Sequence, residues 1–446
     1  MWLDLVPTIA MLVIVVAFVR RHRGAPVLQI HALIGASYLN IFPALDYLFS
    51  DGLGMSGFAR FQWLVALFFQ VPLLLVMHQW APRIRSLPTT PTPARARLSP
   101  WLPAALLILL AGFWVVAIGY DLFFRRLGHD ALQRASAEVP ALLLYLYRGA
   151  VETAFFVVVF LWTLLRSVSA RSRHYGLYRL SLAGYLTTFV LFFGANSRMQ
   201  FVLLLLCLIC TQPGLAAFVL QRVRLPRFLL LLALLVFGLT LLRELVLEDN
   251  ARVDASDLPD LLTTAGWLIA ARLDALAILY RLNEIGFNPF GFELSGIAHV
   301  LNFYWSFFFD PAAYDAIKES LITSPSVAIV NRMAPVDEVD FPKAMILDMF
   351  LSFGVLGLLM TAGMLGGVLI WVQRRVAVFG GFTPTYMVAI YALPMLLEFE
   401  KEFIGLFFAF AKWTPALLLV YLLRPRFADR PRSVSQPVRV PTESPL

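Results

Sequence analysis

Long apolar runs recur along the chain, and they constrain its fold more than any other feature does. Hydrophobic residues make up 60% of the 446 residues and charged residues only 14%, whereas charged residues are about a quarter of a soluble domain. Such runs can cross about 30 Å of hydrocarbon as helices, in which backbone polar groups bond within the segment. The sequence therefore predicts an all-α, polytopic integral membrane protein.

Eleven transmembrane helices are predicted from these runs. They cover residues 3–19, 27–49, 61–80, 101–120, 141–165, 180–195, a seventh helix from the turn at 196–198 to 220, then 228–242, 341–372, 383–397 and 403–423. The predicted organisation is helices one to eight in 1–242 and a large, partly helical polar loop in 243–342. Helices nine to eleven follow in 343–423, and a Pro-, Arg- and Ser-rich tail in 424–446 is expected to be disordered in the cytoplasm.

Basic residues predict the orientation. Most Lys and Arg of the predicted loops fall on the side that holds Arg20, Arg21 and Arg23, and nearly all acids fall elsewhere. Since Lys and Arg mark the cytoplasmic side, the large loop faces outward. Asp4 stands where a secretory signal would carry positive charge, so the first helix is expected to be retained, with an outward N-terminus. The net charge of +8 then reports topology and does not indicate nucleic-acid binding.

Cys207 and Cys210 have the C-x-x-C spacing of redox and zinc sites. Both fall inside an apolar run, and the chain has no other cysteine. We interpret them as helix-packing residues and expect neither a metal nor a cofactor.

Arg198, in the sequence GANSRMQ, is the first candidate for binding a substrate anion. It lies between two predicted helices with almost no loop, where ionisable groups are costly. Its forked donors suit a phosphate or diphosphate, and a short turn through Asn196 and Ser197 would hold it rigidly. The alternative is an arginine that snorkels and anchors the helix end.

The large loop contributes further arginines, Arg272, Arg281 and Arg332. The segment 267–284 has a helical pattern, and nine residues at about 100° each place Arg272 and Arg281 on opposite faces. One straight helix therefore cannot aim both at one ligand. An exposed ion pair with Glu284, three residues on, is the alternative role for Arg281.

Candidates for a general acid or base also fall in this loop. His299 lies among aromatic residues that suit either a helix in the membrane interface or a platform that stacks on sugars or isoprenes. Asp337, Glu338 and Asp340 precede the ninth helix and could hold a general base or form a solvated loop. Inside the predicted helices, Asp46, Asp348 and the i,i+4 pair of Arg148 and Glu152 indicate a cavity or a structural clasp.

The G-x-x-S-R turn at 194–198, the single large outward loop and FPKAMILDMFLSFGVLGLL at 341–359 resemble the Wzy-type bacterial polysaccharide polymerases. These belong to the GT-C group of glycosyltransferases, which also holds O-antigen ligases. The resemblance covers residues 178–372. It implies metal- and cofactor-independent polymerisation of polyprenyl-diphosphate-linked oligosaccharide repeat units into a cell-surface polysaccharide, at the periplasmic face of the bacterial inner membrane. The diphosphate-binding role of outward-loop arginines carries over to Arg198, Arg272, Arg281 and Arg332.

One departure from the family pattern concerns the ligases, which carry a histidine and an asparagine before the G-x-x-G that is 354–357 here. This chain has Lys343, eleven residues before Gly354, and then Ala344. The departure argues against a ligase-type transferase and leaves the general base open. A flippase or exporter of lipid-linked glycans is the other alternative, although internal repeats and Gly- or Pro-broken helices in matching halves are not evident. Expected partners are the lipid-linked oligosaccharide, membrane lipid and a chain-length regulator.

Overall fold

All the secondary-structure elements in the described part of the protein are helices. The computed structural model describes residues 2–22, 24–50, 57–81, 98–119, 141–196, 198–212, 346–377 and 382–397, with 274, 276, 279, 288, 290, 291, 414, 417, 418 and 420–422. Side chains are described for all of these except 116–119, 141–153, 190–196 and 198–201. The helices are α1 Val6–Arg21, α2 Pro26–Phe49, α3 Phe58–Trp80, α4 Trp101–Gly119, α5 Ala141–Ser167, α6 Tyr175–Asn196, α7 Arg198–Cys210, α8 Leu347–Ala377 and α9 Pro384–Leu397.

Four helical segments are long and apolar enough to cross a membrane: Leu3–Arg21, Pro26–Phe49, Phe58–Trp80 and Leu347–Ala377. A helix rises 1.5 Å per residue, so the shortest, with 19 residues, spans about 28 Å. These segments indicate a multi-pass membrane protein. The count of eleven spans and the choice of membrane stay predictions.

Helix α2 lies at the centre of the bundle. Every residue of its first eleven except Gly35 is buried, and it packs against α1, α3, α7, α8 and α9. Because this stretch has no continuous polar face, all of its sides can pack against other helices. Helices α1 and α4 instead expose large apolar side chains such as Val13 (64%) and Ile108 (71%), which suits contact with lipid.

Both α2 and α3 contain a short π-helical segment, and a proline explains each one. The segments are Ser37–Ile41 and Ala66–Gln70, and Pro43 and Pro72 follow two residues after their ends. Proline has no N–H and its ring clashes with the carbonyl four residues earlier. A π-turn, with one extra residue, accommodates that clash inside a continuing helix.

Helix α8 is broken at Gly354, which has φ 56° and ψ −137°, outside helical geometry. Residues with a side chain rarely adopt this conformation. The first turns of α8 fold back at this break. The close approach of Met349 to Gly357 shows this, since a Cβ atom at Gly357 would collide with the Met349 carbonyl group. The G-x-x-G at 354–357 is therefore a backbone device: one glycine breaks the helix and the other allows a close approach.

Hydrogen bonds fix which helix ends lie together. The Arg374 Nη2 atom donates to the Trp80 carbonyl (3.0 Å), and His22 Nε2 lies 2.9 Å from His78 Nδ1. The ends of α1, α3 and α8 thus meet at one end of the bundle, hereafter the basic end. The last turns of α1 and α8 place Arg20, Arg21, Arg374 and Arg375 there.

Helices α4 and α6 run side by side through a repeated polar contact. The Tyr178 hydroxyl donates to the Ser99 carbonyl (2.9 Å), and the Tyr185 hydroxyl donates to the Leu106 carbonyl (3.0 Å). The two tyrosines are seven residues apart, and so are their two acceptors. Both the donor and the acceptor of the second bond lie further along the chain than those of the first, so the two helices are parallel. The tyrosines satisfy their hydroxyls on backbone oxygens, as buried polar groups require.

Several predicted helix limits differ from the structure, by five residues or more in α6, α7 and α8, which runs to Ala377 and not to 372. Helix α6 begins at Tyr175 and not at 180, because Tyr175 and Tyr178 bond to the carbonyls of Leu165 and Ser99 and pack the first turn. Helix α7 ends at Cys210 and not at 220. Pro213 follows shortly, and the residue before a proline disfavours helical geometry. Residues 213–220, the predicted eighth helix and nearly all of the loop 243–342 lie outside the described residues.

Candidate functional site

The junction of α6 and α7 is as short as the sequence predicts. Helix α6 ends at Asn196 and α7 begins at Arg198, with only residue 197 between them. Ser197 lies outside the described residues, as do the side chains of Asn196 and Arg198. Arg198 is thus the first residue of a helix of 13 residues and its only charged one. The backbone N–H groups of a first helical turn favour an anion, which adds to the guanidinium charge.

The folded-back start of α8 holds Asp348, which with Asp46 is one of the two candidate acids whose side chains the structure describes. Its side chain is 1% exposed, and Oδ1 accepts a hydrogen bond from the Met349 N–H (2.9 Å). The Ser352 hydroxyl donates to the Asp348 carbonyl (2.9 Å), which ties the short helical piece before the break. A carboxylate in the first turn is favoured by the helix dipole. Asp348 is therefore well held, in a position that the break at Gly354 creates.

Helices α7 and α8 both pack on α2 and α9. Arg198 is the first residue of α7, and Asp348 is the second residue of α8. The structure brings the two candidates into one bundle.

The remaining predicted site residues lie outside the described residues. These are His299, Asp337, Glu338, Asp340, Arg272, Arg281, Arg332 and Lys343. Within the predicted large loop, Asp274 and Leu276 are described and are fully buried. Asp274 Oδ1 accepts the Leu276 N–H (2.7 Å), so this part of the loop packs inside the protein.

Buried amide side chains on α2 and α8 make contacts that the sequence pattern does not predict. The Gln29 Nε2 atom donates to the Val19 carbonyl (2.8 Å), and Gln373 Oε1 accepts the Val27 N–H (2.8 Å). The latter bond satisfies one of the N–H groups that the start of α2 leaves without a helical acceptor. Single amides inside apolar runs carry no periodic signal, so only their contacts reveal this role.

The histidine pair at the basic end has perturbed electrostatics. Burial of the ring lowers the pKa of His22, and the neighbouring His78 and Arg21 lower that pKa further. Two uncharged imidazoles can share one N–H···N bond, whereas two protonated rings offer only donors.

Cys207 and Cys210 are both buried free thiols of α7. Within the described ranges, no group of three or more His, Cys, Asp or Glu side chains is placed to hold a metal ion.

No known protein family, curated protein or solved structure matches the chain.

Proposed function

We propose that the protein is a glycosyltransferase that polymerises lipid-diphosphate-linked oligosaccharide repeat units at the outer face of a bacterial inner membrane. The N-terminus would lie in the periplasm and the C-terminus in the cytoplasm. The proposal combines the multi-pass helical fold with the resemblance of the 194–198 and 341–359 motifs to Wzy-type polymerases.

The observation that carries the proposal is the position of Arg198. Arg198 begins an apolar helix after a one-residue connection, so its backbone position is constrained and helix N–H groups lie beside it. Both features favour a phosphate or diphosphate. A lipid-linked diphosphate presents that group at the membrane surface, where the end of an apolar helix lies.

The reaction proposed here balances with the lipid-linked substrates alone. A sugar hydroxyl of one unit attacks the anomeric carbon of the other, forming a new C–O bond as the bond from that carbon to the diphosphate oxygen breaks. A base (Asp337, Glu338, Asp340 or His299) takes the hydroxyl proton. Arg198 and a loop arginine among Arg272, Arg281 and Arg332 stabilise the leaving diphosphate, help that is often worth a few kcal/mol per donor.

Chain growth in detergent tests the proposal. Purified full-length protein would be given lipid-linked repeat units isolated from host membranes, and the products separated by length. A ladder of longer glycans is expected, together with its loss in Arg198→Ala. A protein that binds the lipid-linked units but never extends them would refute the polymerase.

A flippase or exporter of lipid-linked glycans is the second candidate, and the helix break in α8 favours it. Transporters place binding sites at discontinuous helices, and α8 is discontinuous at Gly354. Reconstitution in liposomes separates the two functions, since a flippase moves the lipid-linked unit across the bilayer without lengthening the glycan.

A further inference from the structure

The connection between α5 and α6 concentrates positive charge. Arg166 lies in the last turn of α5, Arg171 and Arg173 in the connection itself, and Arg179 near the start of α6. All of these side chains are exposed. No Asp or Glu occurs from residue 153 to 243, so the adjacent helical turns supply no carboxylate to these guanidinium groups. Residues 166–179 are hereafter called the arginine turn.

Hydrogen bonds and a cation–π contact hold the arginine turn in one shape. The Ser172 N–H donates to the Ser169 carbonyl (2.9 Å), and the Tyr175 N–H donates to the Ser172 carbonyl (3.2 Å). The central guanidinium carbon of Arg166 lies 5.3 Å from the centroid of the Trp162 ring, within the range of a cation–π interaction. Part of the charge is therefore positioned before any ligand binds.

Ring contacts place the arginine turn at the basic end of the bundle. The ring centroids of Phe160 and Phe382 are 4.9 Å apart, and those of Phe156 and Tyr391 are 5.2 Å apart. The position falls on α5 as it rises along the α9 segment, so the two are antiparallel and the end of α5 faces the start of α9. Residues 378–383 alone separate α9 from the last turn of α8, which belongs to the basic end. The arginine turn therefore adds its charge to that end.

Trp101 indicates that the arginine turn lies at the level of a membrane surface. The Tyr178 hydroxyl donates to the Ser99 carbonyl and the Ser99 hydroxyl accepts the Trp101 N–H (3.2 Å), so α4 begins beside the first turn of α6. Trp101 is 72% exposed, and tryptophan is enriched where a bilayer meets water. Helix α6 also exposes Leu177 (39%) and Leu180 (58%) there. Charged groups thus adjoin an apolar surface.

An anionic phospholipid matches both parts of this surface. Arginine binds phosphate oxygens through paired N–H donors, and basic clusters beside a membrane attract anionic lipids. A free phosphate would make no use of the exposed leucines. A zwitterionic lipid would bring its own cation among the arginines.

The surface is separate from the diphosphate site proposed at Arg198. Arg198 follows the far end of α6, and the 22 residues of that helix span about 33 Å. The two groups of positive charge therefore lie at opposite ends of α6, and one ligand headgroup cannot contact both.

We propose that the arginine turn binds the headgroup phosphate of an anionic phospholipid, with an acyl chain of that lipid along Leu177 and Leu180. Arg171 and Arg173, which belong to neither helix, contact the phosphate. Arg166 and Arg179 flank it from the two helix ends. The proposal does not depend on the enzymatic activity proposed above.

Native mass spectrometry of the purified full-length protein in a neutral detergent tests the site. The protein would be titrated with phosphatidylglycerol and, separately, with phosphatidylcholine that has the same acyl chains. Phosphatidylglycerol is expected to bind at least about fivefold more tightly, because a basic residue beside an anionic lipid contributes about that factor in affinity. Inorganic phosphate, added at the concentration of the lipid, should not displace it.

Replacing both Arg171→Gln and Arg173→Gln should weaken phosphatidylglycerol binding at least about tenfold and leave phosphatidylcholine binding unchanged. Both side chains are exposed, so the Tm without added lipid should stay near that of wild type. Arg179→Gln changes one exposed side chain on a helix and should weaken binding about threefold or more, which keeps the test decisive if the double variant fails to fold.

The matched control is the double variant Arg20→Gln and Arg21→Gln. It removes the same charge from two exposed arginines of the basic end, but these belong to α1, which packs mainly on α2 and α3. Phosphatidylglycerol affinity should stay within about twofold of wild type, because these arginines lie outside the site and act only through screened, longer-range attraction.

Three results would overturn the site. Equal affinity for the two lipids would show that the arginine turn does not recognise charge. An equal loss in the α1 control would mean that the basic end attracts lipid as a whole. Displacement of the lipid by inorganic phosphate would assign the arginines to a free anion.

Discussion

The Nε2 atom of His22 lies 2.9 Å from the Nδ1 atom of His78, so one imidazole–imidazole hydrogen bond joins the ends of α1 and α3. The two rings meet nearly edge to face, with centroids 5.1 Å apart and an interplanar angle of 77°. The same end holds the bond from Arg374 to the Trp80 carbonyl. Positive charge thus surrounds a pair that can bond only while at least one ring is neutral.

Acid should loosen this contact. Burial, His78 and Arg21 hold the pKa of His22 below its ordinary value in the folded protein, so the unfolded chain binds the proton more readily. The contribution of His22 to stability is therefore fully present above about pH 6.5, the ordinary histidine pKa, and is lost as the pH falls below it. Thermal unfolding in detergent should show a smaller decrease in Tm between about pH 7.5 and 5.5 for His22→Gln than for wild type. An unchanged slope in His22→Gln would contradict the prediction.

Gly357→Ala should destabilise the protein, because the new methyl group meets the Met349 carbonyl at the break in α8. Overpacking of this kind costs about 1–3 kcal/mol or more. Gly363 lies in the same helix, and a Cβ atom there would meet nothing within 4 Å. Gly363→Ala should therefore be neutral or stabilising by up to about 1 kcal/mol, since alanine has the higher helix propensity. Thermal unfolding of the two variants checks this, and equal midpoints would show that the close approach to Met349 contributes nothing.

Arg198→Lys should lose most polymer formation although it keeps the charge. A point ammonium cannot reproduce two parallel hydrogen bonds to a diphosphate. Arg198→Ala should be worse, and both variants should still insert and fold, because the position is at a helix end. The readout is the polysaccharide ladder in a deletion strain, with protein levels checked.

Arg374→Lys is the control for that substitution. Arg374 donates one hydrogen bond from Nη2 to the Trp80 carbonyl at the basic end. A lysine can donate an equivalent hydrogen bond. Its ladder should stay near wild type. A full-length ladder from Arg198→Lys would instead mean that Arg198 only anchors the helix end, and the diphosphate role would pass to the loop arginines.

The predicted orientation can be tested with a reporter that is active only outside the cytoplasm. Fusion within residues 249–257 should give activity, and fusion after Pro431 should not, because basic residues mark the cytoplasmic side. Activity with the opposite pattern would invert the topology and place Arg198 on the wrong side for a periplasmic substrate.

The helical cores followed from the sequence because length and apolar character alone specify a membrane helix. Helix α4 (Trp101–Gly119) and helix α9 (Pro384–Leu397) differ from the predicted 101–120 and 383–397 by one residue each. The short connection before Arg198 was likewise predictable, because a polar tripeptide between two apolar runs leaves no room for a loop.

The interruptions within helices were harder to foresee. Pro43 and Pro72 lie inside continuous apolar runs, and whether a proline bends, breaks or shifts a helix depends on the neighbours that accept the freed backbone groups. The folding-back at Gly354 likewise depends on Met349 and Gly357 meeting, a contact that no periodicity encodes. Of the candidate site, Asp348 is placed with its surroundings and Arg198 only by its helix position, and the roles of both stay predictions.

The enclosed position of α2 has a consequence for the order in which the protein is made. The Val27 N–H bonds to Gln373, and His31 bonds to the Leu396 carbonyl, partners that follow 346 and 365 residues later in the chain. At about 5–20 residues per second, the ribosome supplies those partners roughly 20–70 s after α2 emerges. During that interval α2 must remain in the membrane before the acceptors of its Val27 N–H and its His31 ring have been made, shielded by lipid, by the insertion machinery or by α1 and α3. Release of the chain before residue 346 would leave α2 permanently without α8 and α9, a mark by which membrane proteases could recognise an unfinished molecule.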